Sequence, residues 1–161
     1  MIRIDSLKSA LATLAIALTL AGCASTGIWR EADTKDYKER MQTRTDGAVR
    51  VSTSVLSASE SKTIYGVPLA DKGIQPVWIE VENHDDTPYW LLSPGLDPNF
   101  FPASEAADAF APPGDDSETW ELEQRFRQRA FSNPVTPGTT VSGFILTRLN
   151  EGVKMIELDL V

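Results

Sequence analysis

Alternation of apolar and polar residues is the feature that most constrains the fold of this 161-residue chain. Residues 49–55 place Val or Thr at every second position, and in residues 74–82 Val77, Ile79 and Val81 alternate with Trp78 and glutamates. A period of two predicts strands with one buried face. The same reasoning predicts strands at residues 141–149 and 153–161, and a short strand at 89–92 that forms a hairpin with residues 74–82.

Between the strands, prolines and glycines mark turns, and one region breaks the strand pattern. Residues 103–110 and 115–130 have the composition of two helices, the second with acidic residues at its start and arginines near its end. Strands separated by Pro and Gly turns, without repeated strand–helix alternation, predict an antiparallel sandwich. We therefore expect a mainly β, Ig-like antiparallel β-sandwich over residues 48–161, with a helical insert at about residues 103–130.

The N-terminus has the order of residues that is typical of a secretory signal. Arg3 and Lys8 precede an apolar run that is too short to span a bilayer, and the run ends in Leu20-Ala21-Gly22-Cys23. This ending resembles the lipobox of bacterial lipoproteins. The resemblance implies removal of residues 1–22, lipidation of Cys23 and a lipid-anchored tether at residues 23–47. The alternative interpretation is a buried N-terminal helix with a core cysteine.

The same resemblance implies a location in the cell envelope, with the domain facing the periplasm. Ala24, rather than an aspartate, follows Cys23, and by analogy with enterobacterial sorting this favours the outer membrane. Two or more acyl chains give stable anchoring, so the membrane is the first expected partner.

Composition excludes several functions. The formal net charge is −8, so the surface repels nucleic acid, and no nucleic-acid partner is expected. Cys23 and His84 are the sole cysteine and histidine, which leaves too few ligands for structural zinc. We expect no cofactor and no metal, because turn formation and helix capping account for the aspartate clusters.

No catalytic residue is expected, and the chain is predicted not to be an enzyme. His84 lies beside Asp85 and Asp86 and could be oriented as a general base, but no G-x-S-x-G nucleophile motif accompanies it. Ser59 and Lys62 match S-x-x-K, although the partner motifs S-D-N and K-T-G are absent from the sequence.

Aromatic residues are the candidates for binding a partner or a ligand. Trp78 shares its strand face with Glu80 and Glu82, which places it away from the main predicted core. Three interpretations remain open: a second small core under the helical insert, an exposed patch that docks a protein, or a shallow pocket for a small ligand. The candidate residues are Trp78, Tyr89, Trp90, Phe100 and Phe101.

Short motifs over residues 49–161 resemble the envelope domain family named after the C-terminal domain of LssY. They are Tyr65-Gly66-Val67-Pro68-Leu69, Gly73-Ile74-Gln75-Pro76-Val77-Trp78, Glu82-Asn83, Leu96-Asp97-Pro98, Phe101, Glu105-Ala106, Pro137-Gly138 and Ser142-Gly143-Phe144. The resemblance implies a β-rich domain in membrane-linked proteins, with no assigned reaction. The leading expectation is a non-catalytic accessory subunit that binds an envelope protein partner. The alternative is a periplasmic binding module for a small or lipidic ligand.

Overall fold

Four antiparallel strands form a single meander in the computed structural model, which describes residues 35–92, 100–114 and 116–161. The strands are β1 (Gln42–Asp46), β2 (Val49–Val55), β3 (Ile74–Asn83) and β4 (Thr140–Arg148), and they are neighbours in that order. The predicted signal peptide, Cys23 and residues 23–34 of the predicted tether lie outside the described residues. The protein thus has a four-stranded antiparallel sheet with a few helices, which is compatible with the predicted mainly β class.

The register of the strands sorts their side chains onto two faces. Val51 pairs with Val81 and Val81 with Val141, while Val77 pairs with Val55 on one side and Ile145 on the other. Because side chains alternate along a strand, the apolar residues of these rows share one face. We call it the valine face, and it comprises Val49, Val51, Val55, Val77, Ile79, Val81, Val141 and Ile145.

Extended segments cover the valine face. Residues 89–92 bridge to Val135 through Tyr89 and to Leu160 through Leu91, and Ile156, Leu158 and Leu160 pack against the same core. The predicted hairpin between residues 74–82 and 89–92 is wrong, because β2 and β4 occupy both edges of β3. Residues 153–161 were predicted to form a strand, but only their last three residues pair with residues 90–92, through the bridge at Leu160 and backbone hydrogen bonds of Asp159 and Val161.

Helices cover the opposite face of the sheet, which carries Trp78, Phe144 and Leu146. They are α1 (Lys35–Glu39), α2 (Ala58–Tyr65), a 3-10 helix (Leu69–Lys72), α3 (Ala103–Asp108) and α4 (Asp116–Arg127). The predicted helical insert contains α3 and α4, and α4 buries Leu122 and Phe126 one turn apart, as the sequence predicted.

Helix α2 was not predicted, although its sequence carries a start signal. The Ser57 hydroxyl accepts a hydrogen bond from the Glu60 backbone N–H, and the Glu60 carboxylate accepts one from the Ser57 N–H. This reciprocal pair is a capping box, and Gly66 ends the helix in the left-handed conformation. The apparent S-x-x-K match at Ser59 and Lys62 therefore lies within an ordinary capped helix.

The folded domain begins earlier than the predicted boundary at residue 48. Residues 35–39 and 42–46 of the predicted tether form α1 and β1, and β1 pairs with β2 along its whole length. Tyr37 is 2 % exposed and packs against Trp78 and Phe144, with ring centroids 6.0 and 5.8 Å away. Burial raises the pKa of Tyr37 to about 12. All five side chains of β1 are exposed, so backbone pairing forms this strand without an apolar pattern.

Among the residues that the structure describes, no helix combines the length and the apolarity needed to cross a bilayer.

Candidate functional site

A cleft of about 560 Å³ lies between the β1–β2 end of the valine face and the C-terminal residues 154–158. We call it the C-terminal cleft. Three of its lining residues, Gln42, Thr53 and Ser54, are uncharged polar residues of β1 and β2. The others are either apolar or basic. The apolar lining residues are Val51, Val55, Met155, Ile156 and Leu158, and the basic ones are Arg40, Arg44 and Lys154.

The strand register explains why charged and apolar residues meet here. Arg44 pairs with Val51 and Gln42 pairs with Thr53, so both β1 side chains stand on the valine face next to their β2 partners. β1 is the edge of the sheet, where long polar side chains are tolerated because one side faces solvent. The result is a basic border beside an apolar wall.

Arg40 lies at this border and is held by α2. Its Nη2 donates to both carboxylate oxygens of Glu60, at 3.0 and 2.8 Å, and to the Val55 carbonyl at 3.4 Å. Burial alone would raise the pKa of Glu60, but hydrogen bonds from Arg40 and Ser57 lower it to about 2. Most of the charge of Arg40 is therefore balanced by Glu60.

The two other cations of the cleft differ in their surroundings. Lys154 donates from Nζ to the Arg148 carbonyl at 2.6 Å. The side chain of Arg44 is exposed and makes no hydrogen bond or ion pair with the residues that the structure describes. None of the described residues that line the cleft is acidic, although the whole chain has a net charge of −8. Arg44 thus carries an unbalanced positive charge beside an apolar wall.

Trp78, the first of the sequence-predicted aromatic residues, is a core residue. It is 3 % exposed and packs with Tyr37 and Leu56 on the helix-covered face, and Lys38 Nζ lies 5.0 Å from the ring centroid. The prediction that Trp78 contacts a partner or a ligand needs correction, because its ring is buried in a small core with Tyr37 and Leu56. The sequence placed Trp78 on the correct face, but it did not reveal that α1 covers it.

The other four aromatic candidates do not form one patch. Tyr89 and Phe100 pack against the core of the valine face, whereas Phe101 packs with the core under α3 and α4. The Tyr89 hydroxyl donates to Asp85 Oδ2 at 2.7 Å, and this hydrogen bond lowers the pKa of Asp85. Trp90 is 44 % exposed and is therefore the most accessible member of the set.

The polar residues around His84 that the sequence marked as possible catalytic or metal-binding groups lie at the turn after β3. His84 is exposed, and its Nε2 lies 3.5 Å from Glu82 Oε2 at the end of β3. Asp85 and Asp86 instead accept or donate hydrogen bonds within the turn. Within residues 35–92, 100–114 and 116–161, no three His, Cys, Asp or Glu side chains converge on a position that could hold a metal ion.

The sequence did not predict the C-terminal cleft, because the basic residues of the cleft lie in segments that were interpreted as a tether and a terminal strand. The detectable signal was β1 itself: the turn Asp46-Gly47-Ala48 directly before the alternating residues 49–55 has the form of a hairpin connection. An antiparallel partner for β2 would have placed Arg44 next to Val51.

No family model, curated protein or solved structure matches the chain. The geometry of the cleft is therefore the basis for assigning a function.

Proposed function

We propose that this protein is a lipid-anchored envelope protein whose domain binds a small amphipathic molecule in the C-terminal cleft. The cleft itself carries the proposal, because its volume lies in the range of about 300–1,000 Å³ that small-molecule sites occupy. Its apolar wall and basic border match a ligand that has an apolar body and a polar end. Of the two functions that the sequence leaves open, the binding module has this specific support.

The apolar wall provides the driving force for binding. Val51 and Val55 form the floor, and Ile156 and Leu158 face it from the C-terminal segment. Each methylene group that is transferred from water to such a surface contributes about 0.8 kcal/mol. Val51 and Val55 stand on β2, which is paired with β1 and β3 on its two sides, so the floor needs little ordering on binding.

Anchoring through Cys23 is a further part of the proposal, and it rests on the sequence pattern of residues 1–23. The mature chain would begin at Cys23 and face the periplasm, with the outer membrane favoured. The resemblance to the LssY C-terminal family and the Ig-like sandwich are proposals as well. Support for the sandwich comes from residues 89–92, 135 and 159–161, which are joined by backbone hydrogen bonds of 2.8–3.1 Å and lie across the valine face.

Blocking the cleft tests the binding function. Thr53→Trp places an indole inside the cleft, because Thr53 lines it, whereas Thr45→Trp places the same side chain on the opposite face of the sheet. The neutral fluorescent probe N-phenyl-naphthylamine should bind the parent and the Thr45→Trp protein, and should lose most of its fluorescence with Thr53→Trp. Equal fluorescence with both variants would contradict the proposal.

Anchoring is tested separately by Cys23→Ser in the native host. The parent protein should sediment with washed membranes, and the variant should be lost from that fraction. Recovery of the variant in the washed membranes would overturn the lipoprotein proposal without affecting the binding function.

A second function, docking of an envelope protein partner, is favoured by one exposed apolar patch. Trp90 and Val161 exchange backbone hydrogen bonds of 2.8 and 3.1 Å, and Leu92 donates to Asp159 at 3.0 Å. Trp90, Leu92 and Val161 are all exposed. Photocrosslinking in cells from position 90 should give one protein adduct if this patch docks a partner. Absence of any adduct would count against docking.

A further inference from the structure

We infer that the molecule bound in the C-terminal cleft is a single-chain amphiphile with an anionic head, and that Arg44 binds this head. The inference rests on the proposed binding function and specifies the chemical class of its ligand. In this arrangement the acyl chain lies against Val51 and Val55, and the carboxylate lies at the basic border.

The charges around the cleft favour an anion over a cation or a neutral group. The Arg44 side chain has no hydrogen-bond or ion-pair partner among the described residues, and Lys154 lines the same cleft. The two oxygens of a carboxylate can each accept a charge-assisted hydrogen bond from the planar guanidinium of an arginine, and the single neutral oxygen of a hydroxyl head cannot form this bidentate pair. None of the described residues that line the cleft is acidic, so no carboxylate of the lining itself opposes an anion. A cationic amphiphile would meet repulsion instead.

Pairing with Glu60 gives Arg40 a structural role and leaves Arg44 to bind the ligand. Because the Glu60 carboxylate engages Arg40 at 2.8 and 3.0 Å, Arg40 contributes little net charge to the cleft. Arg44 lies four residues further along the chain and on the edge strand, where no carboxylate of the described chain pairs with it. We therefore assign the head-group contact to Arg44.

The size and shape of the cleft limit the apolar part of the ligand. A site of about 560 Å³ has room for a drug-sized molecule, and a single acyl chain with a small head has that size. Met155, which lines the cleft, is 91 % exposed. An unbranched methionine at this position can adapt to an acyl chain, because its side chain has three rotatable bonds.

The experiment compares laurate with dodecanol, which have the same chain and differ in the head. Both are titrated by calorimetry into the full chain carrying Cys23→Ser, so that no acyl chain of the protein competes, with laurate below its micellar concentration and dodecanol below its solubility limit. Laurate should bind about tenfold more tightly than dodecanol. Arg44→Gln should weaken laurate about fivefold and leave dodecanol within twofold.

Arg50→Gln is the matched control. Arg50 is an exposed arginine of β2 on the opposite face of the sheet, where it pairs with Glu82 at 3.2 Å. This variant should bind both molecules like the parent. An equal effect of Arg44→Gln and Arg50→Gln would show a general charge effect and would overturn the assignment to Arg44.

The remaining outcomes separate this inference from the proposed function. Equal affinity for laurate and dodecanol, unchanged in Arg44→Gln and reduced in Thr53→Trp, would overturn the anionic class and keep the binding function. Failure of both molecules to bind would contradict both. Laurate binding that survives Thr53→Trp would place the molecule outside the cleft and would also contradict both.

Discussion

Arg40 and Glu60 connect the start of the folded domain to helix α2 through a pair of hydrogen bonds of 2.8 and 3.0 Å. The side chain of Glu60 is largely buried and also closes the capping box with Ser57. One carboxylate therefore fixes the beginning of α2 and holds Arg40 at the border of the C-terminal cleft. Loss of Glu60 would affect both the stability of the domain and the shape of the cleft.

Glu60→Gln should lower the free energy of unfolding by about 1 kcal/mol near neutral pH, because a cap and an ion pair are weakened. The folded-state pKa of Glu60 is about 2 and its ordinary value is 4.5. The stabilisation is thus complete above the ordinary value and is lost as the pH falls toward 2. Urea unfolding of the parent and the variant across this range measures the effect.

The difference between the two proteins should shrink steadily as the solution is acidified. Arg40→Gln serves as the companion variant, since combining it with Glu60→Gln should cost less than the sum of the single changes. A difference that is independent of pH would show that the ionised carboxylate has no role.

Trp78→Ala tests whether Trp78 belongs to the core. The variant should lose about 3–5 kcal/mol of unfolding free energy, because a large buried side chain is removed from between Tyr37 and Leu56. Trp120 on α4 is the matched control: it is 61 % exposed, and Trp120→Ala should change stability by no more than about 0.5 kcal/mol. Similar losses in both variants, measured by urea unfolding, would contradict the assignment of Trp78.

Gly143→Ala tests the close approach between β4 and the segment after α4. A Cβ at this position would lie 2.6 Å from the backbone N and Cα of Phe131. Phe131 cannot withdraw freely, because its N–H donates to the Phe144 carbonyl at 2.9 Å. We expect a loss of more than about 2 kcal/mol in thermal unfolding.

Gly47→Ala provides the comparison for Gly143→Ala. Gly47 has a φ of +54° and no atom within 4 Å of an added Cβ, so only the left-handed backbone disfavours alanine there, by about 1 kcal/mol. If Gly47→Ala proved the more damaging change, the close approach at Gly143 would be refuted.

The sequence predicted those strands whose faces differ in polarity. β2, β3 and β4 were located because valines and isoleucines on one side alternate with other residues, and this alternation also assigned Trp78 to the face opposite Val77 and Ile79. β1 was not predicted, because its sequence QTRTD contains no apolar residue and all five side chains are exposed. An edge strand of this kind depends on backbone pairing, which leaves no pattern in its own sequence.

Residues 153–161 show the opposite error. The alternation does mark a buried side, because Ile156, Leu158 and Leu160 pack against the valine-face core. An apolar pattern indicates which side of a segment is buried, but it does not indicate whether the backbone pairs as a strand. The cleft depends on both missed features: β1 supplies Arg44, and residues 154–158, which form no strand, border the gap through Lys154 and Ile156. Such a site arises from contacts between distant segments and could not be derived from one local pattern.

The most direct test of the account is a methyl-resolved NMR titration of the full chain carrying Cys23→Ser with laurate. We predict chemical-shift changes confined to methyl groups that line the cleft, such as those of Val51, Val55, Met155, Ile156 and Leu158, with none at Ala106 and Ala107, which are buried residues of α3. Shifts at the alanines with unchanged cleft methyls, or no shifts at all, would contradict the claim that the C-terminal cleft is the binding site.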